Sequence, residues 1–371
     1  MAAEQAAKPR AASRGRATVG QTALAAPDQA LDLALYDYPL PPSCIAQHPA
    51  SERDGAKLLH LDRASGSRAH RRVLDLPALL EPGDLLVVNT TRVLPARLRG
   101  RKRTGGAAEA LLLGEAASGR FRALVRARGR QRVGLGLVFE AGERRLEAEI
   151  VEILPDGAVT LAFAGETSPY ALGETPLPPY IRRGAPEPAD AARYQTVYAR
   201  EPGSVAAPTA GLHLSERLLA ALAERGIARA GVVLHVGPGT FRPLGAAELG
   251  ARRLHPERFA LPPATAAAID AARARGGRVV AVGTTTTRVL EARANASGGV
   301  DPGEGETDLF LLPGSRFRVV DALLTNFHLP RSSLLLLAAA FAGRERVLSA
   351  YAEAIREGYR FYSYGDAMLI T

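Results

Sequence analysis

The sequence predicts an α/β protein in which a mixed-sheet α/β domain is interrupted by a small antiparallel β-barrel domain. Apolar runs within residues 84–89 and 278–282 are typical of strands inside a sheet that is covered on both faces. Between them, from 93 to 177, short β-like runs recur at intervals of about ten residues and are divided by glycine-containing turns. After residue 178 helix-like and strand-like segments alternate again, so the first domain resumes there.

These patterns divide the chain into three parts. We expect a disordered tail at residues 1–30, which are rich in Ala, Arg and Gly and have no hydrophobic period. The α/β catalytic domain comprises 31–92 together with 178–371, and the inserted β-barrel domain comprises 93–177. The chain of 371 residues is long enough for two domains with cores of their own.

Composition limits the function classes. Hydrophobic residues make up 47 % and charged residues 23 %, which is ordinary for a globular protein. The net charge of +9 fits a polyanionic partner such as nucleic acid, although the basic residues are not confined to one run. The single cysteine, Cys44, excludes an internal disulfide framework and a cysteine-based zinc site, and we expect a reducing cytoplasm. No run approaches ~18 apolar residues, so no membrane span is predicted.

The first domain opens with a short strand at 57–62 and a core strand at 84–89. The core strand ends in polar residues that include Asn89 and Arg92. Ligand groups usually lie at such strand ends in α/β folds, and a hydrogen-bonded turn is the alternative interpretation.

The inserted domain contains the repeated β-like runs, at 110–113, 121–126, 135–139, 146–153 and 159–163. Two clusters of cations accompany them, Arg99 with Arg101, Lys102 and Arg103, and then Arg126, Arg128, Arg130 and Arg132. Such clusters could follow a phosphate backbone, or they could be solvated surface.

The segment 204–215 is small, nearly uncharged and leads directly into an amphipathic helix. Thr209 and Gly211 lie in a predicted tight turn, and Ser215 is a plausible N-cap of a helix that stops at Gly226. Free N–H groups at a helix start can hold an anion or carboxylate, and His213 would lie beside them. The alternative is a helix entry with small residues selected for packing.

The rest of the second half repeats the pattern of a strand with a polar end. A strand at 231–241 contains Gly237, Gly239 and Thr240, and glycines there would let a ligand approach the backbone. His255 and Glu257 would share one face of a strand and could form an acid/base pair. A helix at 264–275 precedes the strand 278–282.

Four more segments complete the predicted domain. The strand at 278–282 ends in Gly283 and Thr284, and strands at 307–312 and 317–324 follow, the latter ending in Asn326 and His328. We expect helices at 333–341 and 345–357 and a last strand at 359–370 that contains Asp366.

Histidines supply the candidate proton-transfer groups. His213, His235 and His328 lie beside predicted strand or helix ends, although each alone is more often a structural histidine. The chain has no P-loop, no HExxH and no GxSxG sequence. Loop backbone, hydroxyls, histidines and a carboxylate suit proton transfer on a polar ligand without a metal.

Several long motifs in one order resemble the S-adenosylmethionine:tRNA ribosyltransferase-isomerase family of queuosine biosynthesis. They are DLLVVNTTRVLPAR at 84–97, PLPPYIR at 176–182, YQTVY at 194–198, VAAPTAGLH at 205–213, LHVGPGTF at 234–241, VGTT at 282–285, DALLTNFHLP at 321–330 and YGDAMLI at 364–370. The sequence departs from the family at Leu214, Pro238, Thr286 and Thr287, which affects fine substrate geometry more than the reaction.

The resemblance implies a reaction. The ribosyl part of S-adenosylmethionine is transferred to the aminomethyl group of 7-aminomethyl-7-deazaguanine at the wobble position of a precursor-modified tRNA with a GUN anticodon. Adenine and methionine leave, and the sugar rearranges to give epoxyqueuosine. S-adenosylmethionine is then a consumed cosubstrate, and no cofactor and no metal is expected. We expect a monomer.

We assign roles to the candidate residues as hypotheses under this reaction. The base would be His213 or His235, assisted by His255 and Glu257 or by Asp366. Substrate-binding residues would be Asn89, Arg92, Thr209, Gly211, Gly239, Thr240, Thr284, Asn326 and His328. The anticodon-stem phosphates would contact Arg101, Lys102, Arg103, Arg182 and Arg183. An ordinary methyltransferase and a noncatalytic RNA-binding module are the alternatives.

Overall fold

The computed structural model describes residues 31–181, 186–237, 239 and 244–371. The predicted tail at 1–30 lies outside the described residues, and so do Arg182, Arg183 and Thr240. Within the described part of the chain there are seventeen strands and eight α-helices. The strands form a large mixed sheet, a closed barrel and a two-stranded ribbon. The predicted fold class is confirmed.

The large sheet has nine strands in the order β15-β13-β12-β3-β14-β16-β17-β1-β2. The four central strands β12, β3, β14 and β16 are parallel. Strands β13 and β15 run antiparallel to their neighbours, and β17 runs antiparallel to β16 but parallel to β1. The strands are β1 (Lys57–Leu61), β2 (Arg68–Arg72), β3 (Leu85–Asn89), β12 (Ala228–Leu234), β13 (Arg253–Leu261), β14 (Val279–Val282), β15 (Gly303–Leu309), β16 (Ala322–Asn326) and β17 (Ala367–Ile370).

Strand β3 is the fourth of the nine strands and is buried along its whole length. Leu85 and Val87 pack into the apolar cluster on one face, while Leu86 and Val88 pack into the cluster on the other face. A strand covered on both faces needs apolar side chains at consecutive positions, and this explains its continuous apolar run. The predicted core strand is confirmed.

Helices cover both faces of the sheet. Residues of α5, α6, α7 and α8 belong to one cluster and residues of α1 and α3 to the other. The helices are α1 (Leu76–Leu79), α2 (Asp190–Arg193), α3 (Glu216–Glu224), α4 (Ala246–Ala251), α5 (Pro263–Ala274), α6 (Thr284–Ala292), α7 (Ser333–Ala342) and α8 (Arg344–Arg356). Ser215 caps α3 by accepting the N–H of Leu218, and Gly226 follows at φ 76°. Both predicted helix boundaries are confirmed.

The barrel is built from six antiparallel strands in the closed order β10-β7-β6-β5-β8-β9. They are β5 (Arg97–Lys102), β6 (Ala107–Ala117), β7 (Arg120–Ala127), β8 (Gly136–Ala141), β9 (Arg144–Ile153) and β10 (Val159–Phe163). The predicted runs correspond to the last five of these strands, and β5 was interpreted only as a cation cluster. In β5, Leu98 points into the barrel core, while Gly100 sits so close to Val138 that an added Cβ would overlap its carbonyl.

The ribbon pairs β4 (Thr91–Val93) with β11 (Glu201–Ser204) in parallel. It therefore connects the end of β3 with the segment that enters the 3₁₀ helix Thr209–His213.

Four strand predictions are wrong in extent. The strand predicted at 307–312 spans Gly303–Leu309, and the strand predicted at 317–324 spans Ala322–Asn326. The segment 359–370 forms a strand only at Ala367–Ile370. Its first part is a loop, because Tyr362 has a φ of 71° and Asp366 accepts the backbone N–H groups of Lys57 and Arg360. The strand predicted at 231–241 ends at Leu234. None of the helices in the described ranges is long and apolar enough to cross a membrane.

Candidate active site

Two adjoining cavities lie beyond the carboxyl ends of the central parallel strands. The larger cavity, of about 610 Å³, lies between the barrel and the sheet. The smaller cavity, of about 70 Å³, lies over the ends of β14 and β16. Val236 and Leu334 line both. In open α/β sheets, ligands bind beyond the carboxyl ends of the strands, at the point where the strand order reverses. Here β3 has β12 on one side and β14 on the other, so the cavities lie at such a point.

The larger cavity collects four of the predicted residues, His235, Gly239, His255 and Glu257. The barrel contributes Gly114, Arg122 and Leu124 to its opposite wall. Since both domains line it, a ligand bound here would contact the sheet and the barrel together.

Glu257 and His255 do not form the predicted acid/base pair. One carboxylate oxygen of Glu257 accepts a hydrogen bond from Arg288, and the other accepts the N–H of Gly237 at 2.8 Å. The His255 ring is instead 3.3 Å from the carboxylate of Glu248 on α4. The pairing register of β13 shifts before Glu257, so His255 is exposed while Glu257 is buried. The two side chains therefore have different environments and different partners, although both line the larger cavity.

Arg288 was missed as a site residue, although it lies one turn into the helix that follows the predicted polar strand end. Its guanidinium is only 7 % exposed and also donates to the carbonyl oxygens of Leu309, at 3.0 Å, and Thr307, at 3.2 Å. Paired carboxylate and carbonyl acceptors are what a buried guanidinium requires. Arg288 and Glu257 thus fix the Gly237 backbone at the cavity wall.

His235 lies at the cavity wall with one ring nitrogen held. Its Nδ1 is 2.8 Å from Oγ1 of Thr91. Gly203, at φ 145°, packs so closely that an added Cβ would lie 2.8 Å from the imidazole. Burial lowers the pKa of His235, and the charge of Arg258 lowers it further. The ring is therefore neutral at neutral pH.

The smaller cavity collects Thr209, Thr284, Asn326 and His328. His328 is buried and its Nε2 is 2.8 Å from Oγ1 of Thr325. Burial lowers the pKa of His328 to about 3, so this histidine is neutral as well.

His213 is buried behind the smaller cavity and reaches it through Asn326. Its Nε2 accepts from the side-chain amide nitrogen of Asn326 at 3.1 Å, and that nitrogen also donates to the carbonyl of Tyr362 at 3.1 Å. Burial lowers the pKa of His213 to about 4, assisted by the charges of Arg360 and Arg53. The ring also borders a separate void of about 20 Å³.

Asn89 and Gly211 are used by the fold. The Asn89 side chain donates to the Leu234 carbonyl and to Thr285, and its oxygen accepts the N–H groups of Thr91 and Leu234. All of its hydrogen-bonding groups are thus engaged. An added Cβ on Gly211 would overlap the phenol oxygen of Tyr198, so this glycine allows close packing.

Asp366 and Arg92 line neither of the two cavities. Asp366 directly precedes β17, and its carboxylate accepts the backbone N–H groups of Lys57 and Arg360. Burial raises the pKa of this carboxyl group. Arg92 is exposed on β4.

The predicted cation cluster on β5 is engaged within the barrel. Arg101 pairs with Glu140, Arg103 pairs with Glu147, and Lys102 donates to the Arg128 carbonyl. By contrast, within the described residues no ion pair is formed by the exposed Arg126, Arg128, Arg130 and Arg132. Residues of β7 with even numbers share one face, and Arg122 and Leu124 of that face line the larger cavity.

In the part of the chain that the structure describes, no group of three or more His, Cys, Asp or Glu side chains could hold a metal ion. The larger cavity is also lined by the charged side chains of Glu115, Arg258 and Glu306.

Comparison with known proteins identifies the family. Residues 33–370 match the profile of the family described as queuosine biosynthesis protein. The chain belongs to this family. The resemblance that the motifs suggested is confirmed.

Named relatives cover nearly the whole fold. The S-adenosylmethionine:tRNA ribosyltransferase-isomerase of Moorella thermoacetica is 53 % identical over 341 residues, covering 90 % of this chain and 98 % of the relative. The protein of the same name from Anaeromyxobacter dehalogenans is 54 % identical over 344 residues, covering 91 % and 99 %. A crystal structure of S-adenosylmethionine tRNA ribosyltransferase from Thermotoga maritima is similar with a TM-score of 0.52 and 36 % identity, covering 91 % of this chain and all of that chain.

Proposed function

We propose that this protein is an S-adenosylmethionine:tRNA ribosyltransferase-isomerase. It transfers the ribosyl moiety of S-adenosylmethionine to the aminomethyl group of 7-aminomethyl-7-deazaguanine at the tRNA wobble position, rearranges it and yields epoxyqueuosine, with release of adenine and methionine. One observation carries the proposal: relatives of that name are more than half identical and are matched over 98–99 % of their length. The reaction consumes S-adenosylmethionine, so no resident cofactor is required.

The reaction needs one base. It also needs room for two leaving groups, adenine and methionine, and for the attacking aminomethyl group of the tRNA base. The sulfonium acidifies the adjacent 5′ carbon, so a neutral base of modest strength can remove a proton there. Adenine must be protonated as it leaves, and the aminomethyl nitrogen must be neutral when it attacks the sugar. The larger cavity supports this proposal because it has room for the sugar and both bases and borders the barrel.

Within this reaction we assign the base to His235 rather than to His213. If Nδ1 of His235 donates to Thr91, its Nε2 keeps a free lone pair beside the larger cavity. The lone pair on Nε2 of His213 is already used by Asn326, whose amide orientation is fixed by the Tyr362 carbonyl. His213 then serves to hold Asn326.

We place the tRNA across the barrel edge of the larger cavity. The unpaired arginines at 126–132 are better suited to phosphates than the paired Arg101 and Arg103, because a phosphate there displaces no carboxylate. A GUN anticodon, a monomeric enzyme and a cytoplasmic location belong to the same proposal.

Product analysis tests the proposed function. The protein is incubated with S-adenosylmethionine and tRNA that carries the deazaguanine precursor, and small molecules and nucleosides are measured by mass spectrometry. We expect free adenine and methionine together with epoxyqueuosine. S-adenosylhomocysteine as the product would instead indicate a methyltransferase, and tRNA binding without consumption of S-adenosylmethionine would indicate a binding module.

A further inference from the structure

In the described ranges, no side chain caps the start of helix α6. Its N-cap residue, Gly283, has no side chain to offer, and its φ of 89° turns the chain from β14 into the helix. The backbone N–H groups of Thr284, Thr285 and Thr286 find no acceptor among the described residues, whereas the N–H of Thr287 is bonded to the Gly283 carbonyl. Three free N–H groups at the positive end of a helix dipole favour an anionic ligand.

A second unsatisfied group lies beside this helix start. The side-chain oxygen of Asn326 is buried and finds no hydrogen-bond partner in the part of the chain that the structure describes, and the residue is only 2 % exposed. Strands β14 and β16 are parallel neighbours with Val282 opposite Leu324, so Thr284 at the start of α6 and Asn326 at the end of β16 both lie just beyond this pair at the same edge of the sheet. Both residues line the smaller cavity. This cavity wall therefore offers donors for an anion and an acceptor for a cation or N–H donor.

The rest of the smaller cavity has no charged side chain among its described lining residues. Ala206, Ala207, Pro208 and Ala210 make one wall small and largely apolar, and Tyr362 closes another. Its volume of about 70 Å³ accommodates about five water-sized groups. A carboxylate, an ammonium and the carbon between them number about five non-hydrogen atoms, whereas adenine has roughly twice as many.

From these observations we infer that the smaller cavity binds the α-amino-acid end of S-adenosylmethionine. The carboxylate accepts from the N–H groups at the start of α6, and the ammonium donates to the side-chain oxygen of Asn326. The methionyl chain then passes Val236 and Leu334, which line both cavities, and places the sulfonium and sugar in the larger cavity. The inference rests on the proposed function for its ligand.

L-Methionine, the amino-acid part of the cosubstrate, is the probe. Its binding to the full chain is measured by equilibrium dialysis, next to methioninol, which lacks the carboxylate, and 4-(methylthio)butanoate, which lacks the ammonium. We expect each analogue to bind about tenfold or more weakly than L-methionine, since each lacks one charge-assisted hydrogen-bonding group. Equal binding of all three, or no binding of L-methionine at millimolar concentration, overturns the inference.

The variant Thr284→Pro removes one N–H from the helix start. Proline is well tolerated at the first helical position, and the extended ψ of Gly283, 155°, suits a residue before proline. We expect Thr284→Pro to weaken L-methionine binding by about tenfold but to leave methioninol binding nearly unchanged, because methioninol has no carboxylate to lose that contact. Thr284→Ala, which keeps the N–H, is the matched control and should weaken L-methionine binding much less.

The same preparations separate the inference from the proposed function. If Thr284→Pro weakens L-methionine and methioninol equally, the substitution acts through general distortion and the carboxylate assignment is wrong. If the unmodified protein releases no adenine from S-adenosylmethionine with precursor tRNA, the proposed function fails, whatever the dialysis shows.

Discussion

Replacing Glu257 with Ala should destabilise the protein strongly. Glu257 and Arg288 are both only 7 % exposed, and the carboxylate is the one anionic partner that the structure shows for this guanidinium in the described ranges. Removing it leaves a buried cation with two carbonyl contacts and frees the N–H of Gly237. Loss of one partner of a buried pair costs about 3–5 kcal/mol, a large share of a total of about 5–15 kcal/mol. Urea unfolding followed by circular dichroism measures the loss.

The double variant Glu257→Ala with Arg288→Met provides the control. It removes both charges and places an apolar side chain where the guanidinium was, so we expect it to recover most of the lost stability. A loss below about 1 kcal/mol for the single variant, or no recovery in the double variant, would refute the view that Glu257 is held as half of a structural ion pair.

Three further predictions concern histidines and arginines. The folded-state pKa values of His213 and His328, about 4 and about 3, lie below the usual 6.5, so their contribution to stability is fully present above pH 6.5 and is lost as pH falls toward 4. Each ring should remove up to about 1.4 kcal/mol per pH unit, measured by urea unfolding at pH 7 and pH 5, and a flat profile would contradict the burial of both neutral rings. Arg126→Ala should weaken tRNA binding and reduce its salt dependence by about one ion, whereas Arg101→Ala, which breaks a barrel ion pair, should do so less; filter binding at several salt concentrations decides. His235→Ala should lower adenine release by about 100-fold or more with tRNA still bound, and a smaller loss than that of His213→Ala would reverse the assignment of the base.

Local patterns were sufficient where a segment's environment is uniform along its length. The core strand β3 is apolar at consecutive positions because both of its faces are covered, and α3 begins and ends at residues with intrinsic capping roles, Ser215 and Gly226. Strand β5 was missed because its outward positions are arginines and its inward positions include Gly100, so its alternation has low contrast. The last predicted strand was too long, since the contact of Asp366 with Lys57 and Arg360 is not visible in the local sequence.

The candidate site shows the same division. Polar residues at strand ends, such as Thr284 and Asn326, were predicted because parallel strands deliver their ends to one edge of a sheet. The partners that decide what a side chain can do come from distant parts of the chain. Arg288 binds Glu257 across 31 positions, and Glu140 neutralises Arg101 across 39. Such pairings depend on register and helix packing, which a single sequence does not specify.

The most direct test follows the sugar of the cosubstrate. S-adenosylmethionine labelled with carbon-13 in its ribosyl carbons is incubated with the protein and precursor tRNA, and the digested nucleosides are analysed by mass spectrometry. The account predicts that all of the labelled ribosyl carbons appear in the wobble nucleoside and that adenine is released in equal amount. Label recovered in S-adenosylhomocysteine, or no consumption of the labelled S-adenosylmethionine, would contradict it.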